Sequence, residues 1–325
     1  MVSVIIPIYN VERYIGRCVK ALMEQTLHDV EYIFVNDATP DSSMEVLQTV
    51  ISQYPYRKGQ VRIINHDCNR GLPAARNTGL AVATGEYIFH CDSDDFVELD
   101  MLELLYEAAK CKNADIVWCD WYLSFEKNER YMKQPEYVTP IEALKGMLSG
   151  VMKYNVWNKL VKRSIYEEND IRFPAGYGMG EDMTMMMLFV YAHSVAYVHK
   201  ALYHYVKLNT NAFSQVHSEK HFADLKYNLL RFTDFLQDKY IEEYDEYIAF
   251  LKLEAKFPFL IMTVDKKMYE MWKQWFPEAN KYIWENKNVA VRTRFLEWMA
   301  AKNQFWFVRL YYYVVIRFVY GIIYK

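Results

Sequence analysis

The first third of this chain switches repeatedly between two hydrophobic periods, and that alternation limits the folds open to it. Val2–Ile8 is a near-continuous apolar run, as a strand buried on both faces requires. From Val11 the apolar residues Val11, Tyr14, Ile15, Cys18 and Leu22 recur at helical spacing. The switch then repeats: strand Glu31–Val35, helix Ser42–Tyr54, strand Val61–Asn65, helix Pro73–Thr84, strand Tyr87–Cys91, a helix near Leu99–Asn113 and a strand near Asp115–Trp121. Strands joined through helices pair in parallel and carry those helices on both faces. The expected fold class is therefore α/β, with a Rossmann-like, mostly parallel sheet flanked by helices. Past Tyr122 the alternation weakens through about Tyr205, and from about Ser218 the pattern is helical, punctuated by Pro258 and Pro277. The expected division is a sheet domain over 1–215, in halves 1–122 and 123–215 with its boundary near Gln215, followed by a helical extension over 216–325.

In such sheets ligands sit beyond the carboxyl ends of the strands. Asn10, Asp37 and Asp92 each fall just past a predicted strand end, so the reading brings them to one crevice. Asp92-Ser93-Asp94-Asp95 packs three carboxylates into four residues directly after a buried strand. Such a concentration of negative charge suits a hard divalent cation shared with a phosphate ligand, or else an acidic turn capping the next helix. A second concentration of acid follows the glycines of Gly176-Tyr177-Gly178-Met179-Gly180, where Glu181-Asp182 precedes the apolar helix Met183–Tyr191. Acids also favour the first turn of a helix, so the pair has a purely structural reading as well. A formal net charge of −3 gives no electrostatic footprint for nucleic acid. Five scattered cysteines without a CxxC pair or zinc spacing point to a reduced, cytosolic setting. The start, Met1–Pro7, lacks a basic segment and a signal-length apolar run, so the first strand is expected to open the mature chain. The 17% aromatic share, with 28 tyrosines, suits sugar faces or a membrane surface.

Several of these pieces occur in a recognisable order: Pro7-Ile8-Tyr9-Asn10 with Glu12; Asp37-Ala38-Thr39-Pro40-Asp41; Asn69-Arg70-Gly71-Leu72-Pro73-Ala74-Ala75-Arg76-Asn77-Thr78-Gly79; the acidic tetrad; Val156-Trp157-Asn158-Lys159-Leu160; and Gly180-Glu181-Asp182. Together, over Val2 to Ser214, they resemble family 2 inverting glycosyltransferases of the GT-A fold. The resemblance implies a metal-assisted enzyme that moves a sugar from a nucleotide-sugar, commonly a UDP-sugar, to a hydroxyl of a glycan or lipid-linked acceptor. It assigns Pro7, Tyr9, Glu12, Asp37, Arg76 and Asp92 to the nucleotide, with Asp37 accepting from the base. Asp94 is assigned to Mn²⁺ or Mg²⁺, with Asp92 and His204 as further candidate ligands. Asp182 is the implied general base. Asp95, Trp157, Lys159, Glu181 and Lys207 fall on the donor or acceptor sugar side. In Tyr203-His204-Tyr205-Val206-Lys207, followed by Ser214, relatives often carry an arginine where this chain has Val206, and Lys207 is the substitute.

The end of the chain adds a separate expectation. Phe305–Tyr324 is apolar and aromatic but interrupted by Arg309 and Arg317. Each arginine costs about 2.5–3.5 kcal/mol near a bilayer centre, and each Phe, Val, Leu or Ile returns about 0.3–0.6. The eleven such apolar residues roughly cancel the two arginines. Lying in the interface lets both arginines reach headgroups, and from Lys287 onward seven basic residues stand against Glu297 alone. Peripheral attachment to an anionic inner leaflet is the expectation, with packing on protein as its alternative, and the resemblance implies that the membrane is bacterial. Other readings of the chain fit less well. A dinucleotide oxidoreductase would need Gly-x-Gly-x-x-Gly where Tyr9-Asn10-Val11-Glu12 stands. A nucleotidyltransferase would want a glycine-rich basic loop after the first strand, and a non-catalytic scaffold would not need Asp37, Asp92, Asp94 and Asp182 together.

Overall fold

The computed structural model describes residues 1–208, 218–237, 239 and 244–323, with side chains described through Phe318. Gln215, Ser214 and Tyr324 lie outside the described residues. The chain divides into two compact units, one comprising Met1–Leu144 with Tyr154–Phe232, the other Lys145–Lys153 with Thr233–Lys325.

The first unit is built on a sheet whose path runs β3 (Val61–Asn65), β2 (Val30–Asn36), β1 (Val2–Ile8), β4 (Tyr87–His90), β8 (Lys159–Lys162), β6 (Ile116–Ser124), β9 (Val195–Val206), β5 (Phe96–Val97), with β7 (Glu129–Met132) paired to β6. β1 to β4 are mutually parallel, as the βα alternation requires. The strand ends after Ile8, Asn36 and His90 therefore open on one side, which is why the loops carrying Asn10, Asp37 and Asp92 share a crevice. The intervening helices are α1 (Ile15–Met23), α2 (Ser43–Ser52), α3 (Leu72–Val82) and α4 (Met101–Lys112). α1 buries Ile15, Cys18, Val19 and Leu22, the stripe expected from its spacing. It starts four residues later than the periodicity suggested, after a turn in which the Tyr14 and Ile15 amides donate to Val11 O.

Beyond β4 the sheet becomes mixed. β8 inserts antiparallel between β4 and β6, β5 is antiparallel to β9, and β7 to β6, whereas β6 and β9 are parallel. Among the described strands six of nine (β1, β2, β3, β4, β6, β9) thus share a direction. β8 is only four residues long, so it leaves no periodic trace in the sequence. α5 (Pro140–Leu148) and α6 (Arg163–Glu168) flank it in sequence, and α7 (Glu181–Tyr191) precedes β9. β9 is twelve residues long, shifts register against β6 between Cys119 and Trp121, and returns Tyr203–Val206 to the loop after β4. α8 (Glu219–Gln237) follows.

The second unit is helical: α9 (Asp245–Lys256), α10 (Pro258–Ile261), α11 (Lys266–Gln274), α12 (Val291–Ala301) and α13 (Phe305–Tyr311), the last continuing in wider, π-type turns to Ile323. Pro258 breaks α9 from α10, because its ring cannot continue the ladder. Trp272, Phe259, Leu260, Leu296 and Ala300 form the core of this unit. Lys256 is buried there, with Nζ donating to Trp275 O at 3.0 Å and Asn280 Oδ1 at 2.6 Å, 4.2 Å from the Trp272 ring. Burial pulls its pKa down to about 8. No helix among the described residues is long and apolar enough to cross a membrane.

Candidate active site

The loops after β1 and β2 are locked together before any ligand is considered. The Glu12 amide donates to Asp41 Oδ2 at 2.9 Å, and the Ser42 amide donates back to Glu12 Oε2 at 3.1 Å. This reciprocal pair occupies one oxygen of Glu12, so its first task is joining the loops. Asp37 is buried, and three donors converge on its carboxylate: the Arg70 amide at 2.8 Å and His66 Nδ1 at 2.6 Å on Oδ1, and the Gly71 amide at 2.8 Å on Oδ2. The expected base acceptor is thereby also the anchor of the loop ahead of α3. Gly71 makes that anchor possible, because its φ of 85° lies where a side chain is strained. Pro7 is buried within β1, and Tyr9, just past its end, is exposed.

The acidic tetrad is organised by two residues from elsewhere in the chain. Tyr203 of β9 accepts from the Asp92 amide at 3.1 Å and donates to Asp95 Oδ2 at 2.8 Å, and the Val206 amide donates to Asp95 Oδ1 at 2.7 Å. Asp95 is buried, and burial together with the charges of Asp94 and Asp92 raises its pKa well above the carboxylate range. It fastens β9 to the tetrad. That takes it away from the sugar side to which the resemblance assigned it, and it does not cap α4, since β5 intervenes. Asp92 and Asp94 are the more accessible acids.

Arg76 is the second organiser. It lies in α3, entirely inaccessible to solvent, with Nη2 2.7 Å from Asp92 Oδ1 and Nε bonded to Glu181 Oε1. A buried guanidinium needs such partners. Arg76 thus bridges two acids, and its Nη1 is buried with no hydrogen-bond partner. Burial raises the pKa of Glu181, the Asp92 charge adds to the rise, and Arg76 opposes it. The 105 residues separating Arg76 from Glu181 carry no spacing signal, so sequence reasoning missed this link. It also missed His66, whose Nε2 sits 2.9 Å from Thr78 Oγ1.

Glu181 and Asp182 open α7 on its first turn. Lys159 is buried and donates from Nζ to Asn155 O at 2.7 Å and Asn158 Oδ1 at 3.0 Å. It is therefore no surface donor to a substrate phosphate. Burial draws its pKa down to about 7, against the attraction of the Asp182 charge. Trp157 is likewise withdrawn from the expected sugar platform: it is 7% exposed, stacked on Tyr203 and Tyr205 at centroid distances of 4.5 and 5.3 Å, with Trp121 edge-on. His204 lies between Phe96 and Tyr122, with Nε2 2.8 Å from Glu98 Oε1 and Nδ1 2.8 Å from Glu129 Oε1. With both ring nitrogens at hydrogen-bond distance from carboxylates, a metal would have to displace one of them. Lys207 is exposed, its Nζ 5.0 Å over the Tyr205 ring.

Among the described residues no three His, Cys, Asp or Glu side chains gather closely enough to hold a metal by themselves. Asp92 and Asp94 still form a hard-oxygen pair, and Asp92 meets Arg76 through Oδ1 while 24% exposed. One or two carboxylates completed by phosphate oxygens and water is the usual arrangement for Mg²⁺, so the pair fits an ion brought to it with a diphosphate.

Comparison with known proteins agrees with this geometry. The family model described as Glycosyl transferase family 2 matches residues 3–182. An uncharacterized glycosyltransferase of Bacillus subtilis, EpsJ, is 34% identical over 227 residues, 66% of this chain and 63% of that protein's length. The structure of S. aureus TarS 1-349 in complex with UDP-GlcNAc superposes with a TM-score of 0.74 at 19% identity, over 96% of this chain and 91% of that one. A mannosyltransferase from Pyrobaculum calidifontis, PcManGT, in complex with GDP-Man and Mn²⁺, superposes at 0.57 and 15% identity over 96% and 87%. These likenesses establish the GT-A arrangement of the sheet and its flanking helices.

Proposed function

The chain belongs to glycosyl transferase family 2, and from that membership we propose that it transfers a sugar from a nucleotide-sugar, a UDP-sugar foremost, to a hydroxyl of a glycan or lipid-linked acceptor with inversion at the anomeric carbon. The observation that carries the reading is the Arg76 bridge. By pairing with both Asp92 and Glu181, it draws the end of β4 and the start of α7 to one place. The nucleotide acids and the acid next to Asp182 are then parts of a single site. UDP is the first donor to test because the S. aureus neighbour was solved with UDP-GlcNAc.

In this mechanism Asp37 and Tyr9 receive the base, Pro7 shapes the strand end beneath it, and Glu12 keeps the two nucleotide loops together. Asp94, with Asp92, would hold Mn²⁺ or Mg²⁺, which when bound offsets the charge of the departing nucleoside diphosphate. Arg76 holds Asp92 in place from behind. Asp182 accepts the proton of the acceptor hydroxyl as that oxygen attacks the anomeric carbon from the face opposite the leaving group. Glu181, already engaged by Arg76, orients the first turn of α7. Lys207 is the exposed cation available for the diphosphate. We place the catalytic residues in the unit that comprises Met1–Leu144 and Tyr154–Phe232, which runs past the expected boundary at 215 to include most of α8. The experiment is incubation with UDP-glucose, UDP-galactose and UDP-N-acetylglucosamine, Mn²⁺ and glycan acceptors, with the product linkage read by NMR. A β-linked product from one of these α-linked donors is expected; an α-linked product would overturn inversion.

The same reading places the protein peripherally on the inner face of a cell membrane. Trp306, Leu310, Tyr313, Val314 and Phe318 are all exposed and recur along the last helix at spacings of three, four and one, with Arg309 and Arg317 beside them. Aromatic and basic residues on one amphipathic segment suit an anionic interface. Deletion of 304–325 is expected to abolish co-sedimentation with vesicles containing phosphatidylglycerol, and undiminished co-sedimentation would remove the tail from this role.

A further inference from the structure

Trp157 and Trp121 are buried, but another aromatic pair in the same unit is not. Tyr177, in the loop Gly176–Gly180, and Tyr227, on α8, lie ring on ring with centroids 3.7 Å apart and planes 10° from parallel, and they are 38% and 42% exposed. We propose that this stack is the acceptor platform, on which the apolar face of a pyranose ring of a glycan acceptor lies while a hydroxyl of the bound sugar reaches Asp182. The proposal rests on the transferase reading of the site and deepens it by naming the acceptor as a pyranose glycan.

Three observations support it. The first is rigidity. The Gly178 amide donates to Asp224 Oδ2 at 3.0 Å, and Asn228 Nδ2 donates to Gly178 O at 2.7 Å. Asp224 and Asn228 are both buried, one helical turn apart on the α8 face that also carries Tyr227. The second is backbone conformation. Gly176 at φ 87° and Met179 at φ 56° are both left-handed, a conformation that costs energy for a residue with a side chain and persists where neighbours fix it. Gly180 has no room for even a methyl group, since a Cβ there would lie 2.2 Å from Pro174 Cγ and 2.6 Å from Asn228 Oδ1. The loop is thus held against α8, and Tyr177 is presented in one orientation. The third is position. Asp182 follows Tyr177 by five residues, a span of at most about 18 Å even if fully extended, within reach of an acceptor of a few sugar rings. Exposed flat aromatic surface beside a proton acceptor is the chemistry a pyranose needs: an apolar face to cover and hydroxyls at its rim, which the tyrosine hydroxyls can also meet.

The test is saturation-transfer NMR on the full chain with UDP and Mn²⁺ present, using the methyl β-pyranosides of glucose, galactose and N-acetylglucosamine as probes. Saturation of the ring C–H protons of at least one probe is expected in the wild type. Apparent affinity should fall roughly 2- to 10-fold in Tyr177→Ala and Tyr227→Ala, the order expected on losing one aromatic contact. Tyr177→Phe should retain it, and Tyr177→Leu, which keeps the loop's apolar bulk without the ring, should lose it as the alanine variant does. UDP affinity, measured by calorimetry on the same samples, should be equal in all of them. Equal saturation in the alanine and leucine variants, or no saturation of any pyranoside by the wild type, would overturn the platform. Failure of the wild type to bind UDP is a different result, and it removes the transferase reading itself.

Discussion

Replacing Asp182 by asparagine is expected to slow sugar transfer by roughly 10²–10⁴-fold, the usual contribution of a positioned general base, while UDP binding is unchanged. The substitution preserves shape and a hydrogen-bonding oxygen but removes the site that accepts a proton. Glu181 is held by Arg76 through its Oε1, so its carboxylate is not free to move into the place of Asp182. Asp182 has a different neighbour, the buried Lys159, whose pKa of about 7 reflects burial opposed by the Asp182 charge. Initial rates under saturating donor and acceptor, paired with UDP calorimetry, make the check. Full transfer by Asp182→Asn would place the base elsewhere, whereas loss of UDP affinity in step with activity would reassign Asp182 to the donor.

Arg76→Met is expected to be the most destabilising single change at the site. Arg76 is fully buried, and its removal leaves Asp92 and Glu181 close together with no cation between them. Breaking a buried ion pair from one side costs roughly 3–5 kcal/mol, which corresponds to a fall in Tm on the order of 10 °C for a domain of this size. Methionine keeps most of the volume, so the loss reports charge and hydrogen bonding and not a cavity. The pH dependence has a definite sign. Without Arg76 the pKa of Glu181, already raised by burial, rises further, so the penalty is full above that raised value, where the acid is ionised. It shrinks as pH falls through that raised value and Glu181 becomes neutral. Arg76→Lys should recover only part of the loss, since one ammonium does not reproduce the two directed bonds to separate acids. Thermal melts between pH 5 and 8 make the measurement. A Tm equal to wild type at pH 7 would show that the bridge is dispensable, and a penalty growing toward low pH would contradict its electrostatic origin.

What could be read from the sequence follows from how each piece is encoded. The βα units up to Tyr87–His90 were legible because a strand buried on both faces and an amphipathic helix each leave a local period, and parallel pairing then places Asn10, Asp37 and Asp92 together. β8 was not legible, being four residues whose partners, β4 and β6, lie on either side of it. At the site, motifs identified which residues matter better than what each one touches. Trp157, Lys159 and Asp95 were expected to face substrate, yet all three are buried against other parts of the protein. A tryptophan or lysine in a motif has no local signature for facing inward, since that is decided by strands distant in sequence, here β9 bringing Tyr203 and Tyr205. Arg76 shows the same limit: its place on α3 was clear, but its partner Glu181 lies 105 residues away.

The most direct test of the central claim is calorimetric titration of UDP, with and without Mn²⁺, into the wild type and Asp94→Ala. Metal-dependent binding by the wild type, strongly weakened in Asp94→Ala, is the predicted result. No binding of UDP by the wild type with Mn²⁺ present would contradict it.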